Sequence, residues 1–294
     1  MAHTDDRGPI VVGVDPDPDR RTALAWAADE ADRRHLPLLL VHAQGVPTPG
    51  YRPQGGHPSW EDWNDDLHTA GDHTLKEAVS FVESRHPQVE ASGLLAEGDP
   101  VWVLREQARQ ASMVVVGSWH LSAARELFTS AAVAVPLVAH VSCPVVVLPA
   151  PEQVTRRPPY FVVGVDGSPL SAAAVDFAFE EAALRGAMVR ALYAWHPPVL
   201  DIFDERRAVE ECRRLLSETV AGRSAAHPEV ELHREVVRGH PVQVLTEAAE
   251  DSLGLVVGTH GRGGFGGMLL GSVSQGVLHH ARCPVITVPR GRDQ

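Results

Sequence analysis

Gly258-Thr-His-Gly261-Arg-Gly-Gly-Phe-Gly-Gly-Met-Leu-Leu-Gly271-Ser272 is the stretch from which the chain is read. The apolar run before it, Leu255-Val-Val, has the character of a short buried strand. A glycine-rich loop follows, and it runs into a helical pattern that opens near Gly271-Ser272-Val273. Strand, glycine loop and helix start together build an anion site. Backbone N–H groups close on the anion unobstructed, and the helix start adds partial positive charge. From Ser252 to Arg292 there is no Asp or Glu, while Arg262, Arg282, Arg290 and Arg292 fall within that span. Two other readings compete: a plain turn, and a dinucleotide site, since Gly261-x-Gly263-x-x-Gly266 matches GxGxxG. The dinucleotide pattern calls for an acid roughly 20 positions on and for the first strand of its unit, and neither condition is met.

The 294 residues suggest two domains of ordinary size. The net charge of −12 argues against nonspecific binding to nucleic acid or to an anionic membrane. Three cysteines, Cys143, Cys212 and Cys283, fit a reducing compartment better than a disulfide framework. Met1 to Pro9 is polar and no apolar run approaches the roughly 18 residues of a membrane span. The expectation is a soluble cytoplasmic protein.

Working outward, the chain is one unit written twice. Ile10-Val-Val-Gly-Val-Asp15 matches Phe161-Val-Val-Gly-Val-Asp166, and Met113-Val-Val-Val-Gly117 matches Gly254-Leu-Val-Val-Gly258. Cys143-Pro-Val-Val-Val-Leu-Pro149 matches Cys283-Pro-Val-Ile-Thr-Val-Pro289. A proline-rich segment between the copies reads as a linker, giving domains at 1–150 and 160–294 with 151–159 between them. In each copy short Val/Ile/Leu runs alternate with helical patterns: 20–35, 66–85, then a helix opened by Pro100, and 168–185, 204–221, then one opened by Pro241. Ser168 or Ser171 suits the start of the 168–185 helix. The fold class is α/β: two tandem open parallel five-stranded sheets with helices on both faces. Ligands of such sheets bind beyond the carboxyl ends of the strands, which is where Asp15, Asp166, Gly117 and Gly258 fall.

Asp166 after a first strand, followed by Gly258-x2-Gly261-x9-Gly271-Ser272, resembles the ATP-binding pattern of universal stress proteins. The duplication is similar to their tandem form in actinomycetes, and the likeness covers nearly the whole chain. It implies ATP, with Mg²⁺ on the phosphates, bound with little turnover by a regulator of stress or dormancy. The glycine loop, Gly258, Gly261, Gly271, Ser272 and Val273, would wrap the phosphates, and His260 and Arg262 would belong to the same ATP site. Asp166 would lie by the adenosine, with Gly164 and Val165 before it also in the ATP site, Ala194 would lie by the adenine, and Gly239, with His240-Pro241, would form a further wall. The resemblance also implies an intrachain pseudo-dimer through the last strands, Val145 to Leu148 and Val285 to Val288, and allows a homodimer. The protein partner it regulates is unknown.

The first copy keeps Gly13, Asp15, Ala43 and Gly117 as a weaker second site. Its loop departs from the pattern: His120 replaces the second glycine, Glu126 adds negative charge, and Ser130-Ala131 does not restore Gly-Ser. Pro136 falls in what should be the following helix. The expectation is weak or absent ATP binding there. Tyr51 to Trp63, rich in Pro, Gly and Trp, reads as a loop whose tryptophans fold back, or as a lid or docking loop. Sixteen histidines form no metal motif, so no metal ligands are assigned. There is no GxSxG, no P-loop and no SGGxDS, so no catalytic residue is assigned. The alternatives to a nucleotide-dependent regulator are a nucleotide-independent interaction module and, further off, a slow ATPase or a nucleotidyl transferase.

Overall fold

The computed structural model describes residues 8–17, 21–44, 60–118, 131–149, 158–196, 204–262 and 270–289. The chain divides into two compact units, residues 1–117 and 118–294. The first holds β1 (Ile10–Gly13), α1 (Thr22–Arg34), β2 (Leu38–Gln44), α2 (Trp60–Arg85), β3 (Ala91–Glu97), α3 (Pro100–Ala108) and β4 (Met113–Ser118). Its strands are parallel in the order β3-β2-β1-β4. The helices α1 and α2 pack on each other and on the sheet, and α3 packs on β1 and β2.

The second unit opens with α4 (Ala131–His140) and β5 (Val145–Pro149). It continues with β6 (Tyr160–Gly164), α5 (Pro169–Arg185), β7 (Met188–Trp195), α6 (Glu205–Val220), α7 (Arg223–Ala226) and β8 (Leu232–Arg238). It closes with α8 (Pro241–Ala248), β9 (Gly254–Gly258), α9 (Ser272–His280) and β10 (Val285–Val288). The strand order is β5-β10-β9-β6-β7-β8. The β10–β9, β9–β6, β6–β7 and β7–β8 ladders are parallel. The β5–β10 ladder is antiparallel, with Val146 opposite Ile286, so the last strands of the two copies do pair. The helices α5 and α6 pack together, and α8 and α9 pack together. Helices on both faces explain why β6 and β9 are buried along their length apart from a half-buried glycine at each carboxyl end.

Local rules fix the helix ends. Ser168, not Ser171, caps α5, accepting the Ser171 N–H at 3.1 Å. Pro100, Pro169 and Pro241 take first-turn positions where a missing N–H costs nothing. Three elements depart from expectation. Helix α2 begins at Trp60, six residues before the anticipated start, so the end of the tryptophan-rich segment is helical and its earlier part lies outside the described residues. The short helix α7 was not anticipated. Helix α4 carries Pro136 internally and stays helical.

Helices α1 and α5 end alike. Gly186 closes α5 at φ 58°, and His35 closes α1 at φ 54°. A side chain in the left-handed region is strained, and glycine is not. His35→Gly is therefore expected to stabilise the protein by about 0.5–1 kcal/mol. Denaturant unfolding checks it; a loss of stability would contradict the strain argument.

Candidate functional site

The strand ends of the second unit surround a cavity of about 500 Å³, within the usual range for small-molecule sites. Its foot is Asp166. Strand β6 stops at Gly164, and the Val165 N–H makes one more bond, to the Leu192 carbonyl at 2.9 Å. The chain then turns into α5 through Gly167 at φ 77°. Asp166 holds this turn: one carboxylate oxygen accepts the Ser168 N–H at 2.9 Å, the other the Arg262 N–H at 2.8 Å. The glycine loop is thus fastened to the first strand of its unit across 96 positions of sequence. Burial pushes the Asp166 carboxyl up, but hydrogen bonds from Ser168, the Arg262 N–H and Ser171 outweigh it and hold the group below the usual carboxylate range.

The glycines of the loop are dictated by close approaches. A Cβ on Gly258 would lie 2.9 Å from both the Cβ and the carbonyl oxygen of Leu170 on α5. A Cβ on Gly261 would lie 2.4 Å from an Asp166 carboxylate oxygen. At the far end of the loop the Gly271 N–H donates to the Thr259 carbonyl at 2.8 Å. The Ser274 hydroxyl donates to the Gly258 carbonyl at 2.6 Å. Both ends of the loop are therefore tied at one place, and residues 263–269 between them lie outside the described residues.

Helix α9 starts at this knot. Gly271 is its cap residue and offers no side chain, and the first intrahelical bond runs from the Gln275 N–H to the Gly271 carbonyl. Ser272, Val273 and Ser274 line the cavity. Their N–H groups precede that first bond and have no acceptor within the helix. Helix α9 is seated by Gly276, where a Cβ would lie 2.4 Å from the Val242 side chain of α8.

The opposite wall is the end of β7. In a parallel strand the main-chain groups of alternate residues face the same neighbour. The Leu192 carbonyl faces β6, and the Trp195 carbonyl faces β8, where it accepts the Gly239 N–H at 2.9 Å. Ala194 therefore turns its N–H and carbonyl toward β6, which has already ended, and Ala194 lines the cavity.

Of the residues expected from sequence, Gly164, Val165, Asp166, Ala194, Gly258, His260, Gly261, Arg262, Gly271, Ser272 and Val273 meet around this one cavity. Gly239 does not. It lines a separate groove of about 600 Å³ beside α8, and the wall expected of its turn is formed by Pro241 and Leu245. Ser171, Leu192, Leu245, Val257 and Ser274 join the lining without having been assigned to it. Leu192 and Val257 follow from period-two alternation with Ala194 and with Leu255 once the strands are paired. Ser274 follows from its place in the first turn of α9.

In the first unit Gly13 and Asp15 also meet, with Val14, Arg21 and Glu77, but around a space of only about 20 Å³. Arg21, the residue before α1, donates to Glu77 of α2 at 2.9 Å beside it. Ala43 and Gly117 do not line that space. His120, Glu126 and Ser130 lie outside the described residues. Among the described residues no group of three or more His, Cys, Asp or Glu is placed to hold a metal ion, and no helix is long and apolar enough to cross a membrane.

The model of the universal stress protein family matches the chain twice, over residues 7–149 and 161–289. Universal stress protein Rv2005c of Mycobacterium tuberculosis is 35% identical over 286 residues, covering 94% of this chain and 95% of its own. Universal stress protein Rv1996 of the same organism is 35% identical over 300 residues, covering 94% and 93%. A universal stress protein from Archaeoglobus fulgidus shares the fold, with a TM-score of 0.71 at 16% identity over 98% of both chains. The chain is a tandem member of the universal stress protein family.

Proposed function

We propose that this protein binds ATP in the crevice of its second copy, and that occupancy of that crevice sets its conformation or its partner in a stress response. The observation that supports this is the make-up of one cavity: an uncapped helix start at one end, a free strand edge at Ala194 at the other, and Asp166 between them. The unbonded N–H groups of Ser272, Val273 and Ser274, with the helix dipole, suit the phosphates. The Ala194 N–H and carbonyl form a donor–acceptor pair matched to the edge of an adenine. Asp166 lines the cavity, and its carboxylate is an acceptor that suits ribose hydroxyls. Mg²⁺ would ride on the phosphates with most of its waters. Turnover is expected to be slow, because a carboxylate held ionised by several donors is a weak general base.

The small space of about 20 Å³ beside Gly13 and Asp15 supports a single working site. The interaction-module reading draws on Trp102 at the start of α3, 60% exposed. One measurement separates the readings. The chain is purified without added nucleotide and denatured, and released adenine nucleotide is counted by chromatography. About one ATP per chain is the expected outcome. A count of two would overturn the single-site reading. None, with no heat of binding on adding ATP and Mg²⁺, would overturn ATP binding and leave the interaction module.

A further inference from the structure

The Arg262 side chain has a different task from its backbone. The backbone N–H anchors Asp166. The guanidinium forms no ion pair among the described residues, yet the residue is exposed and lines the cavity. Its carbon and one of its nitrogens lie 3.5 Å from the point a Gly167 Cβ would occupy, and a Leu215 methyl from α6 lies 3.6 Å from the same point. The guanidinium therefore rests on the Gly167 turn, on the α6 side of the strand ends. Its charge is felt at the Tyr193 phenol and the Glu211 carboxylate, on the neighbouring strand and helix.

The anion-binding end is elsewhere. Gly271, where α9 begins, packs on the His260 Cα and the Thr259 carbonyl, each 3.2 Å from the position of its Cβ. Within four residues the loop thus touches two places: Thr259 and His260 adjoin the helix start, while Arg262 adjoins the Asp166–Gly167 turn and the end of β7. We propose that the Arg262 guanidinium caps the purine–ribose end of the bound nucleotide and sets how fast it leaves, without holding its phosphates. This rests on the ATP reading above. A guanidinium suits such a cap because it is flat, weakly hydrated and stacks on aromatic faces, whereas an ammonium is a compact hydrated charge.

Arg262→Ala tests it cleanly, because the variant keeps the N–H that bonds Asp166. Three ligands are titrated into wild type and variant: ATP, adenosine and inorganic tripolyphosphate, with release of a fluorescent ATP analogue followed by stopped flow. ATP and adenosine should weaken alike, by about tenfold, with release faster by the same factor. Tripolyphosphate should bind both proteins equally. Arg262→Lys should resemble the alanine variant toward adenosine. Unchanged adenosine affinity in Arg262→Ala, or an equal loss for tripolyphosphate, overturns this proposal and leaves ATP binding standing. A wild-type chain that binds none of the three overturns both.

Discussion

Replacing Gly261 with valine is expected to abolish ATP binding, by at least about 100-fold or roughly 3 kcal/mol, while the protein stays folded. The first atom of any side chain at this position would fall 2.4 Å from an Asp166 carboxylate oxygen. Either the carboxylate swings away, or the loop lifts and the 2.8 Å bond from the Arg262 N–H is lost. Both outcomes undo the tie between the glycine loop and the first strand. Gly261 is exposed, so the change leaves the hydrophobic core intact and the thermal midpoint should stay near that of the wild type. The clash has a named partner, which makes it checkable by a double-mutant cycle. In an Asp166→Ala background, itself impaired, Gly261→Val should add far less than it costs alone. Calorimetric titration of the four proteins decides the matter, and strictly additive losses would refute the assigned clash.

Val146→Asp is expected to be the most destabilising single change, costing about 4 kcal/mol or more. Val146 is completely buried in β5, opposite Ile286 of β10, which is also completely buried. Its ladder neighbours pair Val145 with Thr287 and Val147 with Val285. Among the described residues no cation stands in this ladder to meet a carboxylate, so the aspartate would have to be protonated or the strands would separate. Val146→Ala keeps the ladder and should cost about 1–3 kcal/mol. Guanidinium unfolding of the three proteins tests the ranking; a cost below about 1 kcal/mol for the aspartate would mean that this ladder does not hold the second unit together.

The strands were legible because a sheet covered on both faces leaves continuous Val/Ile/Leu runs, and β6 and β9 are such runs. Most of the cavity was legible because the glycine spacing reports close approaches of backbone, at Gly258 to α5 and at Gly261 to Asp166. What escaped depends on packing. Leu192 and Val257 carry no mark of their own, since a cavity-lining leucine and a core leucine look the same until strands are paired. Gly239 looked like a pocket residue, but the tertiary constraint on it is Val244, 2.8 Å from its missing Cβ. The small space beside Asp15 is flanked by Arg21, just before α1, and Glu77 of α2, 56 positions apart, and local sequence cannot report such a pair. The early start of α2 at Trp60 was hidden by the glycines and prolines just before it.

The antiparallel ladder of β5 and β10 also bears on how a doubled gene survives. After duplication, one copy is ordinarily free to decay until it is deleted. Here the first copy supplies a strand to the sheet that carries the second copy's crevice, so deletion would strip that sheet of an outer member. Its glycine loop is under no such constraint. A duplicate tied in this way is retained as scaffold whether or not it keeps a ligand of its own.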